Sequence, residues 1–146
     1  MSLGILMLLV MSAWADRPLF TKADAKKLAT AMSSSLESCP GYAESHELTI
    51  MSVANRTDEH IDKTWVREAL GKALSKGSKH AVNFAEAGAS PRGLFMDLVL
   101  VGENSQNGDT YRATYTLELS LKDGEKPLCS KKVSITNTAN NPKSSK

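Results

Sequence analysis

Aromatic side chains make up only 5% of this 146-residue chain, too few to line the deep apolar cavity that usually holds a small molecule or organic cofactor. Histidine and cysteine are as scarce, with three and two. His46, His60 and His80 form no spaced pair on a helix, and neither His-Glu-x-x-His nor Cys-x-x-Cys occurs. The usual zinc and dithiol redox sites are therefore missing. There is no Gly-x-Ser-x-Gly elbow, phosphate-cradling glycine loop or dinucleotide fingerprint, so the sequence calls for no cofactor and shows no catalytic signature. A surplus of one charge is also lacking. The 18 basic and 16 acidic residues leave a net +2, and their interleaving gives no stripe to track a phosphate backbone, which argues against nucleic acid. No apolar run reaches the roughly 20 residues of a membrane span.

What is present fits one globular domain. With 41% hydrophobic and 23% charged residues, a chain of this length can bury a usable core without metal or disulfide staples. Residues 1–15, MSLGILMLLVMSAWA, stand apart. Gly4 to Met11 is an apolar run of signal-peptide length, and Ala13-Trp14-Ala15 supplies a small-x-small cleavage pattern. Asp16 is the expected first mature residue; a buried N-terminal strand or helix is the alternative. No cysteine follows the run, so the exported chain is expected to carry no lipid there. Cys39 and Cys129 either close one long disulfide or stand as two buried thiols, and spacing alone does not decide between them.

Thr21 followed by Asp24 resembles a capping box, and behind it Ala25, Leu28, Ala29, Met32 and Leu36 recur at helical spacing until Pro40-Gly41. Leu48, Ile50 and Val53 alternate as in a strand. A second stripe, Trp65, Val66, Ala69, Leu70, Ala73 and Leu74, predicts another helix stopped by Gly77. A short strand is expected over His80 to Phe84 and a loop over Ala85 to Gly93. Strands over Leu94 to Gly102, Thr110 to Leu121 and Leu128 to Asn137 follow, separated by Asn107-Gly108 and Asp123-Gly124, both hairpin chemistry. The fold class is α+β: two layers, a mixed sheet ending in an antiparallel three-strand meander, packed by two helices. Residues 16–139 form the single domain and 140–146, without apolar residues, a disordered tail.

Between the first strand and the second helix lies VANRTDEHID, Val53 to Asp62. Asn55 suits a strand terminus, Ile61 a hydrophobic staple, and Asp62 the N-cap of the helix, its carboxylate facing free N–H groups and the positive dipole end. The order Asn55, Arg56, Thr57, Glu59, His60, Ile61 and Asp62, then Ala73, Leu74, Gly77, Val82 and Phe84, then Asp97 to Gly102 and Tyr111 to Leu121, resembles the LpoB family of periplasmic activators of penicillin-binding proteins. It also touches a wider group with curli-secretion and TolB N-terminal domains. The resemblance implies a periplasmic, non-catalytic protein-binding module in peptidoglycan synthesis, whose partner is a class A penicillin-binding protein. An envelope-assembly or secretion accessory on the same fold, or a small hydrolase using His60, are the alternatives. Two surfaces are candidates for the partner: the rim formed by Asn55, Arg56, Thr57, Glu59 and His60, and the outer face of the meander with Arg112, Glu118 and neighbouring threonines.

Overall fold

The computed structural model describes residues 18–140 except Gly77, Ser78, Ala87, Ala89 and Pro91, with Asn140 defined by its backbone. The expected leader at 1–15, the tail beyond residue 140 and the expected helix stop at Gly77 lie outside the described residues.

Two helices and five strands follow in the order α1 (Lys22–Leu36), β1 (Glu47–Arg56), α2 (Lys63–Ser75), β2 (Ala81–Phe84), β3 (Leu94–Asn107), β4 (Thr110–Asp123) and β5 (Lys126–Asn140). Helix α1 opens on a full capping box. The Thr21 hydroxyl accepts from the Asp24 N–H, and the Asp24 carboxylate accepts from the Thr21 N–H at 2.8 Å. That carboxylate is buried and also accepts from the Asn137 side chain at 2.9 Å, so the cap fixes the start of α1 to β5.

The strands form one sheet in the order β2-β1-β3-β4-β5. β1 pairs in parallel with β2 and β3, and the rest is an antiparallel meander. Asn107-Gly108 and Asp123-Gly124 supply the two tight turns, with φ of 61° and 60° at the glycines, where a side chain would cost strain. Helix α2 lies over β1 and β2, and α1 over β4 and β5. Leu28, Met32, Leu36, Val66, Leu70 and Leu74 meet the inward residues Leu48, Ile50, Met96, Leu98, Leu100, Leu117 and Leu119 in one core. Each fully buried aliphatic side chain contributes about 2 kcal/mol of transfer free energy.

Three strand ends lie three or more residues beyond those expected from the sequence. β1 runs on to Arg56 and does not stop near Val53, because the register shifts between Ile50 and Val53. The bulge absorbs the change of parity in Leu48, Ile50, Val53 and returns Val53 to the inner face. β3 extends to Asn107 and β5 to Asn140. Residues 103–109 are exposed on both faces, so that hairpin carries no apolar alternation and is held by its ladder to β4 and by β4's ladder to β5.

Cys39 and Cys129 form a disulfide with Cα atoms 5.8 Å apart, spanning 90 residues and tying the turn after α1 to β5. His80 is buried. Its Nδ1 lies 2.6 Å from the Ser45 carbonyl oxygen and its ring packs on Tyr42 at 4.7 Å. Burial, with Glu37 nearby, pushes the Tyr42 phenol above its ordinary pKa.

Candidate functional site: the β1–α2 loop and the open sheet face

The loop from Arg56 to Asp62 is built by its own side chains. The Asn55 carboxamide oxygen accepts from the Thr57 N–H at 2.9 Å and the Thr57 hydroxyl at 2.6 Å, while its NH2 donates to the Glu59 carbonyl at 2.9 Å. The Glu59 N–H returns a bond to the Thr57 hydroxyl at 3.2 Å. The Thr57 methyl then settles on Gly102, where an added Cβ would lie 3.0 Å from it. Gly102 is therefore the complement of Thr57, a close approach that only glycine permits without displacement.

Glu59 turns inward. Its carboxylate accepts from the Phe20 N–H at 2.9 Å and from the Tyr115 hydroxyl. Tyr115 is buried on β4 and meets the Phe20 ring edge-on at 4.9 Å. One carboxylate thus joins the loop, the residues leading into α1 and the centre of the sheet. Ile61 enters the core beside Val66, and Asp62 caps α2, accepting from the Thr64 N–H at 2.9 Å and the Thr64 hydroxyl at 2.6 Å.

These bonds to Thr64 hold the Asp62 carboxyl below its ordinary pKa. A carboxyl whose pKa is lower in the folded state contributes stability that is fully present above its unfolded pKa and disappears as pH falls through the folded value. Urea midpoints of the parent are therefore expected to fall on acidification below about pH 4. In Asp62→Asn, which can still cap but does not titrate, the fall should be shallower. Parallel profiles for the two proteins would exclude this role.

The structure separates the residues expected to meet a partner. The side chains of Asn55, Thr57 and Glu59 are engaged inside the chain, so the loop presents Arg56, Asp58 and His60. Asp58 accepts from Asn104 at 2.9 Å, which ties the loop to β3. Arg56 lies beside Val101, Val101 beside Thr116, Ser105 beside Arg112 and Val99 beside Glu118. Arg56, Arg112 and Glu118 consequently share the outer face of the sheet, and the two candidate surfaces join at Arg56.

Both helices lie on the other side, so among the described residues no helix covers this face. Its β4–β5 half is a hydroxyl ladder, with Thr114 to Thr136 at 3.0 Å and Thr116 to Ser134 at 2.8 Å. Lys122–Asp97 at 3.0 Å and Lys132–Glu118 at 3.9 Å add charge pairs. Half-buried Phe95, Val99 and Val101 on β3 supply an apolar centre that sequence reading passed over. The signal was there: apart from Asp97, Leu94 to Val101 is apolar at both parities, so the outer residues of the strand form an apolar strip. The outer face thus carries hydroxyls, paired charges and a shallow apolar strip side by side. Among the described residues no group of three or more His, Cys, Asp and Glu side chains is placed to hold a metal, and no helix is long and apolar enough to cross a membrane.

The chain is similar to the LpoB C-terminal domain from Salmonella enterica, with 16% identity and a TM-score of 0.47 over 77% of this chain and 98% of that one. It is similar to the same domain from Escherichia coli, with 19% identity and a TM-score of 0.46 over 77% and 98%. It also resembles the NMR structure of E. coli LpoB, with 19% identity and a TM-score of 0.44 over 80% and 68%. No protein-family model matches the chain, and no curated protein sequence does.

Proposed function

We propose that the chain is a non-catalytic periplasmic protein-binding module that regulates a class A penicillin-binding protein, engaging it through the open sheet face and the Arg56 rim. The observation that carries this reading is the sheet face that no described helix covers, where Arg56 and Glu118 flank Val101 and Val99, and Arg112 stands further along the same face, beside a braced loop. The order Asn55 to Asp62, which resembles the LpoB family, supports the partner. The small-x-small pattern at Ala13 to Ala15 supports export. Regulation requires differential affinity, because a module that binds active and resting synthase equally shifts nothing.

The test is binding and glycan polymerisation with a class A synthase from the same host. Parent protein should bind and stimulate. Arg56→Glu with Arg112→Glu, both exposed and outside the core, should fold normally and weaken binding about tenfold or more. Folded parent that neither binds nor stimulates any such synthase would refute the reading.

A further inference from the structure

On the side away from the open face, α1 and α2 leave between them a groove of about 700 Å³. Its walls run from Lys22 to Ser34 on α1 and from Trp65 on α2 to the C-cap Lys76, roughly 16 to 18 Å at the helical rise of 1.5 Å per residue. Trp65, Ala69 and Ala73 follow one another at four-residue spacing, so they share a stripe of α2 and form an apolar floor with a large ring at one end. Exposed Lys22, Lys26, Lys72 and Lys76 stand around it, against the single carboxylate of Glu68. That local surplus of three exceeds the net +2 of the whole chain. Arg67, Lys122 and Lys132 are held in ion pairs elsewhere, and Lys22 also has the Asp62 carboxylate within electrostatic reach. Charges that look interleaved along the sequence are gathered by the fold.

We propose that this groove docks an acidic amphipathic helix of a partner protein. The small alanine side chains let a third helix approach closely, and three turns of helix match the length of the walls. Trp65 provides the kind of large, rigid anchor that dominates helix and interface contacts. Lysines along both walls meet glutamates flanking the apolar stripe of such a helix, and the charge match steers its orientation. A free phosphate would find point charges here without the arginine forks that grip it in two places. An anionic membrane would meet a concave floor with its apolar groups recessed, where insertion needs them to project.

The probe is a labelled acidic amphipathic peptide of about four turns, alanine- and leucine-faced with glutamate flanks, followed by fluorescence anisotropy with the full chain. A peptide of the same pattern with lysine for glutamate, and phosphatidylglycerol vesicles, form the other arms. The acidic peptide should bind. Lys26→Glu with Lys72→Glu should weaken it about tenfold or more. Ala73→Arg adds positive charge but fills the floor, and should weaken it as well. Arg56→Glu with Arg112→Glu, on the opposite side of the sheet, should leave it unchanged, which keeps this surface separable from the synthase-binding face. Equal binding of the lysine peptide, undiminished binding by Ala73→Arg, or preference for the vesicles would each overturn the helix-docking role.

Discussion

A Cys39→Ala, Cys129→Ala protein is expected to lose about 4 kcal/mol of folding stability, because the bridge closes a loop near the length at which chain entropy alone gives that much. The cysteines are 90 positions apart and the segment between them includes most of the sheet, so the cross-link removes from the unfolded chain nearly all of its widest excursions. In the native state the bridge asks little of the backbone: the Cα separation of 5.8 Å is an ordinary one. For a domain of this size a loss of that order lowers Tm by roughly 15 °C. The urea m-value should rise too, since the freed unfolded chain exposes more surface. Reducing agent should bring the parent to the same midpoint, and an unchanged midpoint in both experiments would show that the bridge contributes nothing.

The elements with local causes were legible in the sequence. The Thr21–Asp24 box, the stripe Ala25 to Leu36 and the Asp62 cap need only three or four neighbouring residues, and Asn-Gly and Asp-Gly fix their turns within two. Whatever depends on distant parts of the chain was not. The β1 bulge appears as a fault in alternation because its cause is the register imposed by β3. Residues 103–109, the end of β3 and its turn, are polar on both sides, so periodicity has nothing to detect there, and their order comes from cross-strand hydrogen bonds to β4. The pairing of Cys39 with Cys129 and the gathering of Lys22, Lys26, Lys72 and Lys76 likewise exist only after the helices have packed on the sheet.

The site was half legible for the same reason. Val53 to Asp62 attracted notice by its density of polar residues, and polar density in a loop usually means either recognition or self-bracing. The fold divides the stretch between the two. Asn55, Thr57 and Glu59 alternate inward and brace, while Arg56, Asp58 and His60 alternate outward. Alternation was readable, but its direction follows from the parity that the bulge resets, and no local signal gives that.

Glu59 is where this division is most sharply testable, and Glu59→Ala is expected to lose about 3 kcal/mol, from two charge-assisted hydrogen bonds that a neutral methyl cannot accept. One comes from the Phe20 N–H and the other from the Tyr115 hydroxyl, 39 and 56 residues away in sequence, so no local rearrangement of the loop can replace both. Tyr115→Phe should cost less, about 1 kcal/mol, because the ring keeps its edge contact with Phe20 and only the hydroxyl is lost. The double variant should fall short of the sum, as residues sharing one bond are coupled. Hydrogen exchange would place the damage: protection at Phe20 and through residues 56–60 should drop first, ahead of the β4 ladder. Binding to any partner through the Arg56 rim should weaken with the loosening of the loop and recover when the fold is stabilised by osmolyte. If Glu59→Ala instead kept the parent's Tm and exchange pattern while binding was lost, Glu59 would be a contact residue and not a brace.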